Sequence, residues 1–113
     1  VLYDVYKQLR QYGLVDSESE FSKDWLCRSD SYMRSMRFRN TAPSISSVAV
    51  CASRLRYYAD IMASSEAHKS LSISFSEMAN RCDNFINKSA LSFGSDRQNW
   101  VLKIKNLSHK ILW

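Results

Sequence analysis

The chain has 113 residues, of which 45% are hydrophobic and 24% are charged, and its formal net charge is +5. This length is typical of one domain and is too short for a two-lobed enzyme. Two glycines and one proline are too few for an all-β sandwich with its many tight turns, and no apolar run approaches the roughly 20 residues of a membrane span.

The predicted fold is therefore all-α, and its first two helices precede a short polar turn. Apolar side chains recur at three- and four-residue spacing over residues 2–14, which predicts an amphipathic helix that Gly13 ends. Ser17 and Glu20 have the S-x-x-E spacing of a capping box, so a second, shorter helix is predicted to begin there. The apolar side of this second helix contains Phe21, Trp25 and Leu26.

A third and a fourth helix are predicted after the polar turn at residues 27–29. Ser29 or Asp30 can cap the third helix, which continues to about Arg39 and turns Met33 and Met36 inward. The next segment is a loop that ends at Pro43, where a long fourth helix starts. The apolar stripe of the fourth helix contains Ile45, Val48, Ala49, Ala52, Leu55, Tyr58 and Met62.

Two further helical patterns occupy the C-terminal half. A heptad-like seam predicts a helix over about residues 65–87, and a last helix capped by Ser95 and Asp96 follows a break at Gly94. These apolar stripes either cover the core of the N-terminal helices or form a homodimer interface, and Trp113 at the end of the chain favours the dimer. The candidate dimerisation residues are Leu71, Phe75, Met78, Phe85, Trp100, Ile104, Leu107 and Ile111.

Four short motifs follow one another between residues 17 and 55. They read S-x-x-E-F-S from Ser17, W-L from Trp25, S-x-S-Y-M from Ser29 and P-S-I from Pro43. In this order they resemble the lambda-repressor-like (Cro/Xre-type) helix-turn-helix domain, and the stretch W-L-x-R-S-x-S-Y resembles small uncharacterised alphaproteobacterial proteins that are predicted to be regulators. The resemblance implies a helix-turn-helix bundle of four to five helices over 1–64, with a C-terminal helical extension over 65–113.

The sequence departs from this family at three places. The family usually has a glycine early in the turn, where Leu26 or Cys27 stands here. The spacing from Phe21 to Tyr32 is one residue longer than usual, and Arg37 replaces an acidic residue. The longer turn is expected to tilt the third helix relative to the second.

The resemblance implies a bacterial, sequence-specific DNA-binding transcriptional regulator, whose third helix (about residues 30–39) enters the major groove of double-stranded DNA. The base contacts carried over by position are Asp30, Ser31, Arg34 and Ser35. The phosphate contacts are Arg28, Tyr32, Arg37, Arg39 and the amide groups near Ser17 and Glu18. The charge agrees, because residues 28–39 contain four arginines and one acidic residue. The competing interpretation of these arginines is a solvated helix face.

A second functional class stays open, in which the helix-turn-helix fold binds protein as an antiactivator, antitoxin or adaptor. The acidic Asp30 at a readout position, the seven acidic residues among the first 64 and the longer turn favour it. A purely structural protein of a phage or mobile element is a third possibility. A continuously positive surface on the third helix would favour DNA over protein.

No catalytic or metal-binding pattern is present. Cys27, Cys51 and Cys82 form no CxxC pair, which indicates a reducing cytoplasm, and a redox switch at Cys27 is less expected than an incidental thiol. His68 and His109 have no partner at ligand spacing. We therefore expect no enzymatic activity, no metal or other cofactor, no small-molecule ligand and no membrane partner.

Overall fold

The computed structural model describes residues 1–93 and 103–107, and this part of the chain is an all-α bundle without strands. Residues 103–107 are helical. No helix in the described ranges is long and apolar enough to span a membrane. Residues 1–93 contain five α-helices, α1 (Leu2–Gln11), α2 (Glu18–Asp24), α3 (Tyr32–Arg39), α4 (Ile45–Ala63) and α5 (Lys69–Ser92), with a 3-10 turn at Glu66–His68 between α4 and α5.

The ends of α1 and the start of α2 follow the local signals in the sequence. Gly13 adopts a left-handed conformation (φ 74°), and the Leu14 amide donates to the Leu9 carbonyl at 3.0 Å, so α1 closes with a Schellman-type turn. The Ser17 hydroxyl accepts from the Glu20 amide at 3.2 Å. The Glu20 carboxylate accepts from the amide of Asp16 rather than from that of Ser17, at 3.0 Å. The capping box therefore forms with its return bond one residue earlier.

The predicted capping of α3 is wrong. The residue that caps this helix is Ser31, and its hydroxyl makes no capping hydrogen bond. Ser29 and Asp30, the predicted caps, lie in the preceding turn. At the other end, Asn40 is left-handed (φ 53°) and closes α3 before the loop that leads to α4.

The two longest helices pack against each other as an antiparallel pair. Ser44 caps α4 by accepting from the Ser47 amide at 3.2 Å, so the helix begins two residues after Pro43. The Ser72 hydroxyl of α5 donates to the Ala59 carbonyl of α4 at 2.7 Å. The α4–α5 contact is the most extensive between any two helices of the described residues.

One core joins all five helices, and α5 closes it. Tyr12 and Trp25 both lie against Phe75, with ring centroids 6.4 Å and 6.1 Å apart. The second half of the chain therefore covers the core of the first half. The largest buried side chains include Leu2, Val5 and Leu9 of α1, Phe21 of α2, Met33 of α3, Val48 and Leu55 of α4, and Phe75 and Met78 of α5.

This packing corrects part of the predicted dimer interface. Phe75 and Met78 are 1% and 0% exposed within the single chain, so they contribute to its core and have no surface for a second copy. Leu71 and Phe85 are half-buried against the same core. Ile104 and Leu107 are more than half exposed. The predicted contacts at Trp100 and Ile111, and the predicted start of the last helix at Ser95, lie outside the described residues.

Candidate nucleic-acid interface

A buried hydroxyl joins α2 to α3. Ser22 of α2 is fully buried, and its hydroxyl donates to the Glu18 carbonyl at 2.8 Å. The same oxygen accepts from the Met33 amide in the first turn of α3 at 3.3 Å. The first amides of a helix have no partner within that helix, so Ser22 supplies the cap that Ser31 does not. This hydroxyl therefore links α2 directly to the first turn of α3.

The turn between α2 and α3 contains a left-handed residue that is not glycine. Cys27 has a φ of 55°. The next amide, that of Arg28, donates to the Ser22 carbonyl at 3.0 Å. The resemblance placed the family's usual glycine at either Leu26 or Cys27. Cys27 has the left-handed backbone conformation that glycine favours, so it corresponds to that glycine.

Arg28 connects this turn to the start of α4 through three serine hydroxyls. Its Nε donates to Ser47 at 2.7 Å, and its Nη2 donates to Ser44 at 3.1 Å and to Ser46 at 2.6 Å. The guanidinium also lies 5.6 Å from the centre of the Tyr32 ring, a cation–π contact. Nη1 takes part in none of these hydrogen bonds. Arg28 therefore has a positioning role, and its Nη1 donates no hydrogen bond among the described residues.

Tyr32 belongs to the same connection. Its phenol oxygen accepts from the Ser44 amide at 3.1 Å. Partial burial raises the pKa of the Tyr32 phenol, but hydrogen bonds with Ser44 and Ser47 and the nearby Arg28 guanidinium outweigh this effect, so the pKa lies below its ordinary value. The position thus packs the turn onto α4, and this committed oxygen is less available for a phosphate.

The side of α3 that points away from the core is formed by four residues at positions i, i+3, i+4 and i+7. We call this set the outer face of α3. Its members are Ser31, Arg34, Ser35 and Phe38. Ser31 is half-buried, whereas Arg34 and Ser35 are exposed and Phe38 is 93% exposed. Three of the four predicted base contacts therefore share one face, on which Arg34 and Ser35 are exposed, while Asp30 lies in the turn before the helix.

The charges around the outer face of α3 are unequal. Among residues 1–93 and 103–107, neither Arg34 nor Arg39 has an ion-pair partner or a side-chain hydrogen bond. Arg37 instead forms an ion pair with Glu18 of α2. The helix itself contains three arginines and no acidic residue. The exposed surface of α3 is therefore positive but interrupted by the phenyl ring of Phe38.

The start of α2 is a poor place for a phosphate. Asp16, Glu18 and Glu20 surround it with carboxylates, and the Glu20 amide already donates to the Ser17 hydroxyl. Anions of the chain itself thus occupy the positive end of this short helix. The phosphate contacts predicted at Ser17 and Glu18 do not match this local charge.

Sequence reasoning missed two features of this surface. Phe38 was not assigned a role, although its spacing of four residues from Arg34 places it on the same helical face. The contacts of Arg28 with Ser44, Ser46 and Ser47 could not be predicted either, because no local pattern links these serines to Arg28, which is at least 16 residues away.

A separate apolar groove of about 410 Å³ lies beside α4 and α5, away from α3. Trp25 and Tyr58 form part of its wall, with ring centroids 5.5 Å apart. The remaining lining residues are Leu14, Asp24, Met62, Leu71 and Phe75.

Comparison with known proteins gives one family. Residues 2–101 match the model of a family that is described as a "Family of unknown function (DUF6626)". No curated protein and no solved structure matches the chain.

Proposed function

We propose that this chain, which belongs to the family of unknown function DUF6626, is a transcriptional regulator that binds double-stranded DNA through the outer face of α3. The observation that carries the proposal is the exposure of Arg34 on this face, without a carboxylate partner among the described residues. The opposite side of α3 is packed through Met33, which fixes which side faces outward. A helix held in this way by α2 and α4 is of a size that the major groove admits.

Base recognition is assigned to the N-terminal part of this face. Arg34 can donate two parallel hydrogen bonds to O6 and N7 of a guanine. Ser31 lies one turn before Arg34, and Ser35 lies next to it. Their hydroxyls can donate to or accept from either base of a pair. Asp30 precedes the helix and can accept from a cytosine amino group.

Phosphate contacts are assigned to the arginines at the edges of the face. Arg39 is exposed beside Phe38 and is the strongest candidate. Arg28 has its Nη1 nitrogen to offer, and Arg37 can share its charge with a phosphate while it pairs with Glu18. The amides near Ser17 and Glu18 are left out of the proposal because of the surrounding carboxylates, and Tyr32 is assigned to the support of α3.

The regulator is proposed to act as a homodimer in the cytoplasm. Two copies are needed to place two α3 helices in major grooves about 34 Å apart. Ile104 and Leu107 are exposed and are three residues apart on one helix, which suits a contact between two copies. Three free thiols are compatible with a reducing compartment.

The test is fluorescence-anisotropy titration of a pool of random duplexes at about 50 and 200 mM salt, where six or more phosphate contacts weaken binding ~10³-fold or more. Arg34→Ala should bring the affinity for a selected duplex down to that for random duplexes. Arg39→Ala should weaken binding to all duplexes alike. Arg81→Ala, which removes an exposed arginine of α5, is the matched control and should leave both affinities unchanged.

Two results would reject the proposal. One is the absence of binding at the lower salt concentration. The other is an equal effect of Arg34→Ala, Arg39→Ala and Arg81→Ala, because binding would then depend only on net charge.

The second candidate is a protein-binding role, and the apolar groove beside α4 and α5 favours it. A groove lined by Trp25, Tyr58 and Leu71 provides apolar surface of the kind that protein interfaces bury. Tyr58→Ala should then abolish binding of the partner while Arg34→Ala has no effect.

A further inference from the structure

Phe38 is the one large apolar side chain of α3 that the fold does not use. Its 93% exposure is the highest among the large hydrophobic residues of the described ranges. Met33 and Met36 of the same helix contact the core, so the packing of α3 is complete without it. A single exposed hydrophobic residue is common on protein surfaces and does not by itself mark an interface. What gives this ring a candidate partner is its position on the outer face of α3, next to Arg34.

The neighbours of Phe38 restrict what can cover it. Arg37 and Arg39 adjoin it in sequence, and Arg34 lies one turn before it on the same face. A second copy of α3 would bring its own three arginines against these three, so like charges oppose a symmetric contact between two such faces. An anionic partner that also offers an apolar group suits the position.

Double-stranded DNA offers one apolar group at the edges of its bases. In the major groove this group is the C5-methyl of thymine, and no other base carries an equivalent one. The outer face of α3 therefore presents hydrogen-bonding side chains in its N-terminal part and a hydrophobic ring at its C-terminal end, which matches a groove that displays a guanine edge followed by a methyl group.

We propose that Phe38 is a specificity-determining residue that packs against the methyl group of a thymine in the bound site; this inference rests on the proposed DNA-binding function. Arg34 and Phe38 are four residues apart, which is about 6 Å along a helix axis. With α3 aligned along the groove, this distance covers about two base-pair steps of ~3.4 Å. The preferred site thus has a thymine about two steps from the guanine that Arg34 reads.

The experiment replaces thymine with deoxyuridine, which lacks only the methyl group. The preferred duplex is selected from the random pool, and each thymine within it is replaced in turn. For the wild-type protein, replacement of the contacted thymine should weaken binding roughly three- to five-fold, as expected for one methyl group removed from water. Phe38→Ala should bind the thymine and deoxyuridine duplexes equally.

Two control variants separate this effect from a general loss of binding. Phe93→Ala removes another phenyl ring that is 78% exposed, outside α3, and should keep the full wild-type preference for thymine. Arg34→Ala should lose affinity for the guanine-containing site but retain the ratio between the thymine and deoxyuridine duplexes. All variants should unfold at the wild-type temperature, because each removes an exposed side chain.

The outcomes distinguish the inference from the function on which it rests. If no duplex is bound, the proposed function fails and the inference fails with it. If a preferred duplex is bound but every deoxyuridine replacement is neutral, or if that duplex has no thymine near the guanine, DNA binding stands and the role of Phe38 is overturned. Retention of the thymine preference by Phe38→Ala would also overturn it, because another residue would then read the methyl group.

Discussion

The strongest prediction about the fold concerns Ser22, because its buried hydroxyl joins the two helices of the candidate motif. Replacement of Ser22 by alanine removes the acceptor for the Met33 amide, and Met33 is 3% exposed, so water cannot take its place. A buried donor left without a partner costs about 1–3 kcal/mol. The loss is offset by roughly 0.5 kcal/mol, because alanine is a better helix former than serine. We therefore expect Ser22→Ala to lower the free energy of unfolding by about 0.5–2.5 kcal/mol.

The assay is urea denaturation followed by far-ultraviolet circular dichroism, with thermal unfolding as a second measurement. A domain of this size loses roughly 4–8 °C of melting temperature for each kcal/mol. The matched control is Ser19→Ala in the same helix. The Ser19 hydroxyl makes no hydrogen bond among the described residues, so this variant should stay within about 0.5 kcal/mol of the wild type. Equal unfolding midpoints for the two variants would refute the proposed tie between α2 and α3.

The other predictions concern the left-handed residues and the thiols. Cys27→Gly should raise the free energy of unfolding by about 1 kcal/mol, because a left-handed backbone is unfavourable for any residue with a Cβ atom; a destabilised variant in urea denaturation would contradict this. Gly13→Ala should lower the free energy of unfolding by about the same amount. The cost comes from the backbone alone, since nothing lies within 4 Å of the added Cβ. An unchanged urea midpoint would contradict this, because it would show that φ relaxes freely. In a thiol titration with a chromogenic disulfide reagent, Cys27 should react in the native protein and Cys51 and Cys82 only in denaturant. The hydrogen bond to Cys82 and burial both raise the pKa of the Cys51 thiol, and rapid reaction of all three thiols would disprove this order.

The helices and most of their ends could be predicted because their signals are local. Gly13 ends α1 and Ser44 caps α4, and in both cases a backbone requirement is met by a residue within the same turn. The capping box predicted at Ser17 and Glu20 differs from the structure in one bond, because the Glu20 carboxylate accepts from the amide of Asp16 and not from that of Ser17. Local chemistry thus determines where these helices start and stop.

The support of α3 could not be predicted because it depends on contacts between distant residues. The expected cap at Ser29 or Asp30 assumed that the nearest polar side chain would bond to the helix. Ser22 bonds to it instead, from 11 residues earlier in the sequence and from a different helix. The link from Arg28 to the serines of α4 is of the same kind, since nothing in the spacing of either segment reveals the other.

The periodicity of apolar residues also does not predict what an apolar helix face packs against. The seam through Phe75 and Met78 was correctly placed on one face of a helix, but its spacing fits a covered core and a dimer interface equally well. Packing against Tyr12 and Trp25 decides for the core. For Phe38, the spacing of four residues from Arg34 places the ring on the outer face of α3, where it is exposed, but periodicity does not show what covers it.

The shallow anchoring of α3 has a consequence for its dynamics. Only Met33 of this helix is buried, whereas α4 buries six residues along its length. Helices with few buried contacts open locally, without unfolding of the whole domain. In native-state hydrogen exchange, the amides of α3 should therefore exchange through small openings that denaturant hardly affects, while those of α4 wait for global unfolding. Because α3 opens independently of α4, it can adjust its conformation to a binding surface before the complex fixes it in place.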